Sequence, residues 1–99
     1  MNPNVSIDRD TVMAFCRRHH IKRLALFGSV LGDAFRPDSD VDMLVEFESG
    51  HVPGLNFISI ERECSELLGR RVDLVTPRSL IPPIRARALT NAVPLYVAP

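Results

Sequence analysis

Asp40 and Asp42 are separated by one residue within Asp40-Val41-Asp42-Met43-Leu44-Val45, where apolar residues occupy every second position from Val41 onward. Successive side chains of a strand point to opposite faces. The two carboxylates therefore project together, roughly 6.5–7 Å apart at Cα, while Val41 and Met43 enter a core. Two anions so close need a counter-charge, and a divalent cation is the obvious one. Oxygen-only ligands suit Mg²⁺, with Mn²⁺ as the alternative, and Mg²⁺ commonly takes one or two carboxylates together with substrate phosphates. Two such ions about 4 Å apart would serve an in-line displacement, one activating an incoming hydroxyl and one neutralising a leaving pyrophosphate.

Gly28 and Ser29 supply the complementary half. A residue without Cβ lets a phosphate approach the backbone, and amides at the start of a following turn point their donors at it. The Ser29 hydroxyl adds another donor. A Gly-Ser turn is common, and so is Asp-x-Asp on a solvated strand edge. The combination says more, because aspartate is depleted in strands and a plain surface strand would carry Lys, Thr or Glu at positions 40 and 42.

Asp73 stands between Val72 and Leu74, so it projects away from the core that those two enter. If its strand neighbours that of Asp42, it is a third carboxylate of the same site. The other reading makes it a surface aspartate beside Arg70 or Arg71.

These residues need elements to place them. Segment 8–20 carries Val12, Phe15, Cys16 and His19 at helical spacing behind Asp8, a natural N-cap. Segment 23–27 reads as a buried strand ending at Gly28, and 30–33 as one helical turn. Arg36-Pro37-Asp38-Ser39 is loop chemistry, and Val41, Met43, Val45 and Phe47 form the second strand. After a polar loop at 50–54, Phe57, Ile60, Cys64, Leu67 and Leu68 predict a second long helix ended by Gly69. Segment 71–75 is a third strand. Pro82 and Pro83 open a third helix, and 94–97 forms a last strand, at an edge because of Pro94. The expectation is an α/β (α+β) fold, with a small mixed sheet of about four strands flanked by helices, as a single domain over 1–99.

Composition narrows the function classes. The 99 residues leave room for one core, and 12 Lys and Arg balance 12 Asp and Glu. No overall charge draws the chain to a polyanion, so direct nucleic-acid binding is not expected; the cluster Arg17, Arg18, Lys22 and Arg23 reads as solvated surface at a helix end. No apolar run is long enough for a bilayer span, and the opening residues lack the blocks of a secretory signal. A cytoplasmic protein without membrane contact is expected. Cys16 and Cys64 lie on helical apolar stripes as small hydrophobes. His19 and His20 are sequence neighbours at a helix end, which disfavours a joint metal site.

Gly28-Ser29 followed after residues 30–39 by Asp40-Val41-Asp42 resembles the defining motif of the DNA-polymerase-beta-like nucleotidyltransferase superfamily. The likeness includes Arg36-Pro37-Asp38-Ser39-Asp40 and Arg71-Val72-Asp73-Leu74-Val75-Thr76. With Ile84-Arg85-Ala86-Arg87-Ala88 and Ala92-Val93-Pro94-Leu95-Tyr96 near its end, the chain is similar to the minimal nucleotidyltransferase antitoxins of prokaryotes. The resemblance implies ATP as substrate and a HEPN-domain ribonuclease toxin as partner, in a hetero-oligomer, with AMP transferred to a tyrosine of that toxin. It assigns Asp40 and Asp42 to the catalytic metals, Gly28 and Ser29 to the triphosphate, and Asp73 to the third carboxylate, which helps activate the acceptor hydroxyl. The competing expectation is a non-catalytic antitoxin that silences its partner by occlusion.

Overall fold

The computed structural model describes residues 7–28 and 39–99. The turn expected at 30–33, Ser29, and Arg36 to Asp38 of the loop lie outside the described residues. Helix α1 spans Arg9–Arg18, and Asp8 caps it as the sequence implies. Its side chain accepts from the Asp10 N–H at 3.1 Å and from the Thr11 hydroxyl at 2.9 Å. Strand β1 (Ile21–Phe27) begins two residues before the expected start. The apolar pattern is interrupted by exposed Lys22, which hides the start from a sequence reading, yet Ile21 is fully buried and the Lys22 carbonyl accepts the Ala98 N–H at 2.8 Å.

Strand β2 is Val41–Phe47, helix α2 is Phe57–Leu68, and strand β3 is Val72–Val75. A short 3₁₀ helix, Pro77–Ser79, was not expected; it leads to α3 (Pro82–Asn91) and β4 (Val93–Val97). The four strands make one mixed sheet in the order β3-β2-β1-β4. β1 is antiparallel to β2 and β4, whereas β3 runs parallel to β2 through the α2 crossover. Pro94 thus sits in an edge strand.

The sheet is covered on two faces. Phe15 and Cys16 of α1 and Ile60 and Cys64 of α2 pack with Leu24, Leu26, Val41, Met43 and Val45 in the main core. On the other face, Ala88 of α3 packs with Ala25 and Leu44. Strand alternation explains the split, since Met43 and Leu44 must face opposite ways. Burial pushes both thiols up to about 12, and Cys64 Sγ lies 3.7 Å from Met43 Sδ. They are the small hydrophobes anticipated from their stripes.

At the end of α1, neighbouring residues diverge. Arg18 and His19 both reach Glu63 of α2, the latter through Nε2 at 3.0 Å, while His20 turns toward His51. Arg23 in turn lies 3.8 Å from Glu46. Two members of the basic cluster are therefore committed to carboxylates within the chain.

Candidate active site

Asp42 is the second residue of β2 and stands in register with Phe27 of β1 on one side and Asp73 of β3 on the other. Cross-strand partners share a face, so Asp42 and Asp73 project side by side from neighbouring parallel strands. They continue the face on which Leu44 and Ala25 meet α3, beyond the part that Ala88 covers. Asp42 is half-buried and Asp73 exposed.

Asp40 lies one residue before β2 and is exposed. It lines a cleft of about 470 Å³ together with Asp73, Glu61, Arg62, Ser65 and Arg71. Register therefore joins Asp42 to Asp73, and the cleft joins Asp73 to Asp40. Among the described residues, the three aspartates do not form a set whose carboxylate oxygens all lie within 4.8 Å of one another.

Gly28 closes the site from the β1 side. Its φ is +76°, a conformation other residues adopt at a cost, and a Cβ built there would stand 2.5 Å from Asp42 Oδ2. Conformation and space both require glycine beside the carboxylate. Ser29 lies outside the described residues, so its contribution to the site stays an expectation of the motif.

A sequence reading does not find the groups that hold these residues in place. The edge of β3 is satisfied by α2: Val72 N–H donates to Ser65 Oγ and Leu74 N–H to Glu61 Oε2, each at 2.9 Å. Glu61 and Ser65 are one helical turn apart and meet alternate amides of the strand, so they fix the strand residue between them, Asp73. Val41 N–H donates to the Arg71 carbonyl at 2.9 Å, locking the start of β2 to β3. One residue earlier in the chain, the Arg70 guanidinium donates to the Ser39 carbonyl at 2.7 Å and tethers the backbone just before Asp40. The only advance sign of this scaffold is the i, i+4 spacing of two polar residues on the otherwise amphipathic α2.

Chemically, the arrangement offers carboxylate oxygens on one rim, a glycine that lets the Asp42 carboxylate lie against the backbone, and an open cleft beside Asp40 and Asp73. Hard divalent cations are the species that such oxygens recognise.

A family model for the nucleotidyltransferase domain matches residues 9–95. The protein adenylyltransferase MntA of Thermococcus cleftensis is 40% identical over 77 residues, which cover 77% of this chain and 76% of that one. A solved structure described as a minimal nucleotidyltransferase is 41% identical, with a TM-score of 0.72 and 87% of each chain covered. A toxin-antitoxin crystal structure with AMP-PNP is 19% identical, and its TM-score of 0.73 over 93% of this chain and 75% of that one shows a shared fold. With the family model matched over residues 9–95 and relatives of about 40% identity over most of its length, the chain belongs to the nucleotidyltransferase domain family, among the minimal nucleotidyltransferases.

Proposed function

We propose that this chain is a Mg²⁺-dependent protein adenylyltransferase, which transfers AMP from ATP to a tyrosine hydroxyl of a HEPN-type toxin and acts in the cytoplasm as that toxin's antitoxin. The observation that carries this reading is the register of Asp42 with Asp73, closed on the β1 side by Gly28. The likeness to an adenylyltransferase and to a toxin-antitoxin structure with AMP-PNP supports the choice of nucleotide and partner.

The donor set fits Mg²⁺, since every side chain offered by the aspartates is a hard oxygen ligand. Asp40 and Asp42 would hold the metal, with Asp73 as the third carboxylate. The cation, when bound, supplies charge neutralisation at the triphosphate and the leaving pyrophosphate. Gly28 leaves room for the Asp42 carboxylate against the backbone, so that the metal and the triphosphate would meet beside it, and Ser29 would donate to the triphosphate. The acceptor oxygen forms its bond to the α-phosphorus as the bond from that phosphorus to the bridging oxygen breaks. Pyrophosphate departs with the electron pair, and Asp73 takes the phenolic proton before water does. Catalysis on this scheme is positioning and electrostatics, for which a small fold suffices.

The acceptor comes from another protein. The chain's single tyrosine, Tyr96, is half-buried against the main core in β4. The open cleft beside Asp40 and Asp73 is where a partner would present its hydroxyl.

The test is to incubate the chain with ATP, Mg²⁺ and the candidate toxin and to weigh both proteins. Addition of one or more AMP groups to the toxin, abolished by Asp40→Asn with Asp42→Asn, is the expected result. A double variant that silences the toxin as well as the parent, with no mass added in either case, replaces transfer by occlusion.

A further inference from the structure

At the opposite end of the β1–β2 ladder from the aspartates, a second constellation has a different chemistry. His20, Glu48 and His51 each offer a ligand atom, and these atoms all lie within 4.8 Å of one another. The register runs from Phe27↔Asp42 at one end to Ile21↔Phe47 at the other, so the two places are about 20 Å apart along the strands. We propose that His20, Glu48 and His51 form a binding site for Zn²⁺.

The backbone brings the three residues together before any ion arrives. Glu48 N–H donates to the His20 carbonyl at 2.9 Å, extending the ladder by one rung, and His51 N–H donates to the Glu48 carbonyl at 3.0 Å. The second bond closes a turn through Ser49 and Gly50, whose φ of +82° brings the chain back on itself. His51 is thereby carried over His20, and the two imidazoles stack with centroids 3.9 Å apart at an interplanar angle of 17°; a ring nitrogen's lone pair lies in the plane of its ring, so ligation turns the two exposed rings out of this stack. His20 contributes an outlier of its own. Its φ of +55° makes it the one described non-glycine residue in the left-handed region, and such conformations concentrate at ligand sites. The exposed rings are open to solvent, so an ion can reach them.

Two imidazole nitrogens and one carboxylate oxygen make a borderline donor set that suits Zn²⁺ and discriminates against Mg²⁺. Three protein ligands leave a fourth tetrahedral position for water or for a group from another molecule. Bound there, the ion joins the start of β1 to the loop that follows β2. The same loop carries Val52, Pro53 and Gly54, which line a second cleft with Phe47 and Phe57. None of this depends on the carboxylates at the other end of the sheet.

The test uses tag-free full chain, stripped by chelator and titrated with ZnCl₂ in millimolar Mg²⁺, with stoichiometry read by calorimetry and elemental analysis. Co²⁺ serves as a visible-absorption probe of imidazole ligation. Expected is one Zn²⁺ per chain, retained in Asp42→Asn and weakened at least tenfold in both His51→Ala and His20→Gly. His51 is exposed in a loop, and glycine relieves the left-handed backbone at position 20, so both variants keep the fold; their melting temperatures without metal verify it. Zn²⁺ should raise the melting temperature of the parent and of Asp42→Asn but of neither histidine variant. Absence of binding at micromolar Zn²⁺, binding that survives both histidine substitutions, or binding lost with Asp42→Asn would each overturn the proposal.

Discussion

A Cβ on Gly28 would approach Oδ2 of Asp42 to 2.5 Å, so the residue that follows β1 and the carboxylate of β2 occupy adjoining space with nothing to spare. The φ of +76° at the same glycine adds a conformational requirement to the steric one. Gly28→Ala should therefore lower stability by about 1–3 kcal/mol and displace the Asp42 carboxylate. A thermal melt with and without ATP and Mg²⁺ checks both effects. The parent should gain melting temperature from the ligands and the variant should not. A variant that gains as much as the parent would show that the space beside Gly28 does not matter to the nucleotide.

Asp73 separates function from stability. It lies in register with Asp42, and like charges directly opposite each other on neighbouring strands are destabilising by roughly 0.2–1 kcal/mol. Asp73→Asn keeps the shape and removes one charge. Its melting temperature without ligands should equal or exceed the parent's, while AMP transfer falls on the order of 10²-fold. Transfer at the parental rate would return Asp73 to the role of a surface aspartate.

Strand alternation made the direction of Asp42 and Asp73 legible from sequence, because Val41, Met43, Val72 and Leu74 mark the buried face. Neighbourhood was another matter. Alternation states which way Asp73 points but not that β3 lies against β2, and that adjacency is set by α2 crossing over Met43 and Val45. His20, Glu48 and His51 escaped for the same reason, since inspecting His19 and His20 as a pair concealed that each meets a different distant element. The start of β1 was misread because an exposed lysine interrupts its pattern.

Glu61 is expected to act through Asp73 rather than on substrate. Its Oε2 accepts from Leu74 N–H at the open edge of β3, and losing that acceptor leaves a strand amide without its partner. Glu61→Ala should cost about 1 kcal/mol in denaturant unfolding and reduce AMP transfer, chiefly in kcat. Glu61→Gln keeps an oxygen acceptor and should restore most of both. If the glutamine variant were as impaired as alanine, the carboxylate charge rather than the hydrogen bond would be what matters.

The buried thiols predict how the fold fails in base. Burial pushes Cys16 and Cys64 up to about 12 in the folded chain, from the ordinary thiol value of 9.0. Between those two values the unfolded chain has released thiol protons that the folded chain still holds. Stability therefore falls as pH rises through this window, whereas below about 9 the thiols contribute no slope. Each could contribute up to a few kcal/mol by pH 12. The informative quantity is the difference between the parent and a Cys16→Ala, Cys64→Ala variant, because every other group is common to both. Urea unfolding at a series of pH values from about 8 to 11 should give a steeper loss for the parent, with the two curves parallel at the low end. Parallel curves throughout would mean that the thiols ionise as readily folded as unfolded, and that the core around Met43 admits water.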